Sequence, residues 1–373
     1  MRGYEHGGDI YAEEKRPMDL SVNIDPLGMP ESVAKAAEEA VRTELSYPDP
    51  FCRKLTAALS ERYGVPEENI LCGNGASDLL LRLCAVIRPK KVLVPRPGFS
   101  EYERCAALFG AQAVYYDVLP KTSSQVTGEI KKMLTWAPQD CAQTLAATAP
   151  QMAFICRPNN PDGSMLSAEQ VADIAELCGR IGTLLVVDEC FLEFTEEKSA
   201  AAYLKEFKKL VVVNAFTKTY AMAGLRLGYM FCSDTELLDK AYAFASPWSV
   251  SAPAQAAGIA ACKETEFLQK ARDYINGQRE YLVSELKELG FNVFPSEANF
   301  LLLKEPEGLR KEDGPRVREQ LAARGIKVRD CRSFNGLDDT CVRIGIRTEE
   351  ENKAFIEALS DIAKSRQQRS GRQ

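Results

Sequence analysis

Short, wholly apolar runs that alternate with amphipathic stretches constrain this chain more than any other feature. Val92–Val94, Met152–Cys156, Leu184–Val187 and Leu210–Val213 are apolar at every position, not at every second one. A strand with one wet face alternates, so continuous runs mark strands covered on both faces. Between them lie stretches such as Ser167 to Arg180, where Ser167 and Gln170 have the spacing of a capping box at a helix start. Alternating β and α units predict a mostly parallel sheet flanked by helices, with ligands beyond the carboxyl ends of its strands.

From about Ala245 the pattern changes. A long helical segment runs from Glu264 to Leu289 with Gly290 as its stop. A strand over Asn299 to Leu303, a helix near Gly314 to Arg324, and strands near Ile326 to Arg329 and Cys341 to Ile346 follow, the signature of a smaller α+β domain. The expected organisation is an amino-terminal arm (1–45) serving the substrate site and the small domain, a large domain (46–245), a small carboxyl-terminal domain (246–363) and a disordered basic tail (364–373). At 373 residues the chain has the length of about two domains.

Charge and cysteine usage exclude several function classes. With 47 basic and 53 acidic residues the net charge is −6, so no global field draws the chain to nucleic acid or an anionic membrane. No run approaches the ~20 apolar residues of a membrane span, and the start carries no apolar leader, so a soluble, cytoplasmic protein is expected. The twelve cysteines contain no C-x-x-C pair and one histidine accompanies them, which predicts reduced thiols and no metal site.

Four clusters follow the predicted strands. In L-C-G-N-G-A-S-D-L-L, Gly75, Ala76 and Ser77 open an apolar helix whose free N–H groups suit a phosphate, although the same residues describe an ordinary loop-to-helix turn. F-I-C-R-P-N-N-P-D-G puts Asn160 after a buried strand, in residues that equally favour a plain turn. In L-L-V-V-D-E-C-F an otherwise apolar strand ends with Asp188 and Glu189, and a buried Asp188 carboxylate requires a cationic partner, protein or ligand. In N-A-F-T-K-T-Y-A-M-A-G-L-R-L-G-Y, Lys218 either lifts its head into solvent or, buried near the cation Arg226, becomes a neutral nucleophile. Pyridoxal 5′-phosphate needs an amine for its aldehyde, an anion at its ring nitrogen, a donor to its phenolate oxygen and a phosphate cradle. Lys218, Asp188, Asn160 and the Ala76/Ser77 helix start with Arg226 supply these in turn.

In this order the N-P-x-G, strand-D-E, T-K and G-L-R-L-G-Y motifs resemble the fold-type I aminotransferase superfamily from about His6 to Arg347. The resemblance implies its fold: a large cofactor-binding domain with a mostly parallel sheet, and a smaller α+β domain. It implies that Lys218 carries the cofactor as a Schiff base and that Asp188 keeps the ring nitrogen protonated. Thr217, Ser77 and Arg226 would hold the cofactor phosphate, Tyr47 would reach it from the second subunit of a homodimer, and Phe99 would stack on the ring with Tyr102 nearby. Arg329 and Arg343 stand where relatives bind substrate anions. Arg347, four residues beyond Arg343, is read as structural.

Within the superfamily the chain is similar to the threonine-phosphate decarboxylases of cobalamin synthesis and to the histidinol-phosphate aminotransferases, both of which take amino-compound phosphates. H-G-G at His6 to Gly8, N-I-D-P-L-G-M-P, P-W-S-V and C-R-S-F-N-G-L-D favour the decarboxylases, and the resemblance makes His6 and Gly7 substrate-phosphate contacts. Phe191 stands where the aminotransferases usually carry tyrosine. Ala215 replaces a frequent serine, and Asp162 replaces the threonine of N-P-T-G. Decarboxylation of L-threonine O-3-phosphate is therefore expected. Transamination of histidinol phosphate or an aromatic amino acid with 2-oxoglutarate, action on serine phosphate, and a non-catalytic cofactor-binding role remain as alternatives.

Overall fold

A computed structural model describes residues 6–11, 16–119, 130–309 and 315–370. Among these described residues lie thirteen strands: β1 (Met18–Asp19), β2 (Ile70–Gly73), β3 (Lys91–Arg96), β4 (Gln112–Asp117), β5 (Met152–Cys156), β6 (Leu184–Asp188), β7 (Leu210–Ala215), β8 (Gly228–Cys232), β9 (Asn292–Val293), β10 (Phe300–Lys304), β11 (Ile326–Lys327), β12 (Arg329–Asp330) and β13 (Cys341–Gly345). Seven form one sheet in the order β2-β8-β7-β6-β5-β3-β4. Only β8 runs against its neighbours, pairing antiparallel with both β7 and β2.

The wholly apolar runs have the expected cause. Leu185 and Val187 of β6 join a core on one face of the sheet, while Leu184 and Val186 join a second core on the other. Leu210 and Val212 divide from Val211 and Val213 in the same way. Strands buried on both faces have no position for a polar side chain until they end. The helix Ala168–Ile181, which lies between β5 and β6 in the chain, starts with the full reciprocal capping box of Ser167 and Gln170.

A four-stranded antiparallel sheet, β12-β13-β10-β9, carries its own core with the helices Thr265–Glu288 and Glu349–Ser370. Gly290, at φ +83°, follows the first of these helices. The strand expected near Ile326 to Arg329 is broken at Val328: β11 pairs parallel with β1, and β12 joins β13. The helix expected from Gly314 covers Val317–Ala322, and Gly314 itself lies outside the described residues. The basic segment from Lys364 to Ser370 continues the last helix. A helix already nucleated on a packed face propagates cheaply through good helix formers such as Lys, Arg and Gln. Among the described residues no helix is long and apolar enough to cross a membrane. All twelve cysteines are free, and eleven of them are buried.

Candidate active site

The parallel strands end along one edge of the large sheet, and their continuations enclose a cavity of about 510 Å³. Asp188 is the last residue of β6, Asn160 lies four residues past β5, and Lys218 three past β7. The segment after β3 brings Phe99 and Tyr102, while the turn after β2 brings Ala76 and Ser77. The four clusters, distant in sequence, thus line one chamber, together with Thr217, Arg226, Arg329, Arg343, His6 and Gly7.

Burial and neighbouring cations tune the amine. Desolvation, then the positive charge of Arg343, lowers the Lys218 ammonium from 10.5 to about 8, with Arg226 adding to the effect and Asp188 opposing it. The Lys218 Nζ lies 5.9 Å from the centre of the Phe191 ring, an apolar wall that offers it no hydrogen bond. Asp188, 4% exposed, accepts from the Tyr102 hydroxyl at 2.7 Å and from the Cys190 N–H at 3.0 Å. Tyr102 is fixed between rings: it stacks on Phe154 at 5.0 Å and meets Phe99 edge-on at 5.6 Å.

A cradle forms where the helix Ala76–Ile87 begins. Its N-cap is Gly75 at φ +81°, with no side-chain cap, so the first N–H groups are not met by a capping side chain. A Cβ on Gly75 would lie 2.6 Å from Arg226 Nη2, and one on Gly228 would lie 2.6 Å from the Gly75 carbonyl carbon. The two glycines therefore let the Arg226 guanidinium and the helix start close on the same spot. Ser77 and Thr217 line the cavity there, and Ala215 offers no hydroxyl.

The two late arginines face each other across the antiparallel pair β12–β13, in register Arg329 to Arg343. Arg343 donates to Asn160 Oδ1 and, at 2.9 Å, to the Ser21 carbonyl, while its Nε is buried without a partner. No ion pair with a carboxylate is found for it among the described residues. Desolvation is the main reason its guanidinium falls to about 10. Arg329 donates to Ser333 Oγ at 2.6 Å and lies over the Phe334 ring. Arg347 lies past the end of β13, with its Nε 3.3 Å from Glu351. Asp162 is fully buried and turned onto Asn159 and the Ser164 N–H, away from the chamber's lining.

Tyr47 is not brought to this chamber. It is 76% exposed and stacks on Trp248 at 4.3 Å. Glu101, Arg104, Ser21 and Cys190 also line the cavity, although sequence reasoning did not single them out. Glu101 and Arg104 look like an ordinary solvent-exposed pair at i, i+3, and the signal that separates them from one is a contact with a residue far away in sequence.

These residues fit pyridoxal phosphate: a desolvated amine, a buried carboxylate and a glycine-shaped anion cradle share one cavity, and a Cβ at either glycine would fill the cradle. No group of three or more metal-ligating side chains occurs among the described residues. A family model described as aminotransferase class I and II matches residues 15–359. A histidinol-phosphate aminotransferase of Methanosarcina mazei is 35% identical over 352 residues, covering 93% of this chain and 88% of that protein. A threonine-phosphate decarboxylase of Salmonella typhimurium is 31% identical over 366 residues, covering 96% of each chain. The histidinol-phosphate aminotransferase structure from Clostridium acetobutylicum superposes with a TM-score of 0.82 at 28% identity, covering 93% of this chain and 99% of that one. The fold, the chamber and these likenesses agree: the chain belongs to the class I and II aminotransferase family, and its cofactor is pyridoxal 5′-phosphate.

Proposed function

We propose that this protein decarboxylates L-threonine O-3-phosphate to (R)-1-aminopropan-2-yl phosphate, a step of cobalamin synthesis. The observation that carries the reading is the make-up of the chamber's walls. Arg329, Arg343 and His6 surround the space beside Lys218, and Phe191 stands in place of a hydroxyl. A substrate with both a carboxylate and a phosphate needs several cations, and the planar fork of arginine suits either group.

In this reading Lys218 holds the cofactor and Asp188 keeps its ring nitrogen protonated, while Tyr102 orients Asp188. Asn160 donates to the phenolate oxygen and, with Arg343, meets the substrate carboxylate. The amides of Ala76 and Ser77, the hydroxyls of Ser77 and Thr217, and Arg226 bind the cofactor phosphate, with Gly75 giving them room. Phe99 covers the ring. Arg329, His6 and Gly7 face the substrate phosphate. When bound, the cofactor supplies an electron-poor ring that accepts the electron pair left as the bond from Cα to the carboxylate breaks. Lys218, as an ammonium whose proton comes off near pH 8, then delivers that proton to Cα and is left as the neutral amine.

The homodimer belongs to this reading. Tyr47, Trp248, Phe51, Phe244 and Leu45 are large apolar residues left exposed, and Tyr47 would reach a partner's cofactor phosphate from there. A cytoplasmic location belongs to it too, as does the division into an arm, two domains and a tail. The separate cores of the two larger sheets support that division.

The aminotransferase reading has comparable support: the Methanosarcina mazei enzyme is 35% identical to this chain, and threonine-phosphate decarboxylase relatives reach 34%. Purified, cofactor-loaded protein incubated with O-phospho-L-threonine distinguishes them. Carbon dioxide release without any keto-acid acceptor is expected. Glutamate formation that requires histidinol phosphate and 2-oxoglutarate, with no carbon dioxide, would replace decarboxylation by transamination.

A further inference from the structure

A wall built to receive an anion should not carry a buried carboxylate, yet Glu101 lines the chamber with its side chain 5% exposed. It repels an incoming phosphate unless it has another use, and burial demands that it be paired. Its partners come from two places. Arg104, three residues on along the helix Ser100–Ala107, donates to Oε2 from Nε at 2.9 Å and from Nη2 at 2.6 Å. The other partner, His6, is 95 residues away, with Nε2 3.3 Å from Oε1. Its ring also sits 6.1 Å from that of Phe99, so the imidazole is held between an aromatic face and the carboxylate.

The segment that carries His6 is seated by close fits. Gly7 packs so tightly under Ser21 that a Cβ would come within 2.3 Å of the Ser21 carbonyl oxygen. Gly8, at φ +89°, donates its N–H to Ser21 Oγ at 3.0 Å. Lys327 donates to the Asp9 carbonyl. The Ser21 carbonyl that Gly7 crowds also accepts from Arg343. Residues 6–9 therefore form a strap across the chamber, joined at Ser21 to an arginine of the site and at Glu101 to the opposite wall.

We propose that Glu101 is the latch of this strap, a positioning residue that holds His6 and Arg104 side by side where the phosphate end of the substrate arrives. The inference rests on the reading that the substrate is an amino-acid phosphate. One carboxylate shared by two basic groups fixes their geometry before the ligand arrives, and the substrate then meets groups already ordered.

The test uses cofactor-loaded protein with Glu101→Gln, His6→Gln and the double variant. Hydrogen exchange over residues 6–11, measured without substrate, reads the latch itself. Exchange there should quicken about tenfold in each single variant and no further in the double. With O-phospho-L-threonine, the KM of Glu101→Gln should rise about tenfold while kcat stays within about twofold, equivalent to about 1.4 kcal/mol of lost binding. Exchange equal to the parent's in His6→Gln, which alters a half-exposed strap residue, would overturn the latch even if Glu101→Gln folded poorly. A fall in kcat with unchanged KM in Glu101→Gln would overturn it as well. If the parent neither binds nor converts O-phospho-L-threonine, the substrate reading fails instead, and the exchange measurement still decides the latch.

Discussion

Lys218 should behave as a base about three hundred times more acidic than a free lysine. Its ordinary value of 10.5 falls to about 8 because the folded chain removes water from the ammonium and sets Arg343 and Arg226 near it. At about 1.36 kcal/mol per tenfold change, holding the proton there costs the folded state about 3 kcal/mol. At pH 7.5 about a quarter of the amine is neutral, against about one part in a thousand for an ordinary lysine. The sign follows from linkage. The folded value lies below the unfolded one, so cofactor-free protein carries the full penalty below about pH 8 and sheds it as pH rises toward 10.5. On the proposed reading Lys218 captures the cofactor covalently, a step that needs the neutral amine. The rate at which cofactor-free protein takes up pyridoxal 5′-phosphate, trapped with borohydride and read by mass, should climb with pH to a plateau with a midpoint near 8. Arg343→Gln removes the largest charge acting on the amine, so its midpoint should move up. A parent midpoint near 10.5, or one that Arg343→Gln leaves in place, would refute this account of the site's electrostatics.

Other changes test other parts of the molecule. Gly75→Ala introduces a Cβ 2.6 Å from Arg226 Nη2 at φ +81°, and should weaken cofactor affinity at least about tenfold in a fluorescence titration. Asp25 is buried with one carboxyl oxygen lacking a partner, and burial pushes it up to about 7. That folded value is above the ordinary 3.8, so its contribution is complete at low pH and is lost as pH rises through 7. Asp25→Asn should therefore lose several degrees less Tm than the parent between about pH 5 and pH 8.5 in scanning calorimetry. Arg157, fully buried and 2.8 Å from the equally buried Glu189, should be needed for stability: Arg157→Met leaves that carboxylate unpaired and should cost about 3 to 5 kcal/mol in urea unfolding.

The buried parallel strands were legible because each is apolar on both faces, a pattern few other structures share. The reactive cluster was legible for a related reason. Asp188 is the first polar residue after an unbroken apolar run, and a chain that ends such a run on a buried carboxylate marks the strand end where the cavity opens. β8 was not legible as an antiparallel strand, since strand direction depends on the short path from β7 through the Lys218 loop and not on composition. The break at Val328 was hidden for the same kind of reason: one extended run changes partners from β1 to β13 without a turn residue to mark it. Glu101 and Arg104 stayed hidden because their meaning lies in His6, which only the folded chain brings near.

The register that sets Arg329 opposite Arg343 has a consequence for the protein's life without ligand. Like charges facing each other across neighbouring strands push that corner of the smaller sheet apart. On the proposed reading, a carboxylate or phosphate bound there would weaken the repulsion between Arg329 and Arg343, so part of the free energy of ligand capture would go into quieting the scaffold. Heat resistance should then track saturation with small anions, so that on this reading the molecule would be sturdiest while it is at work.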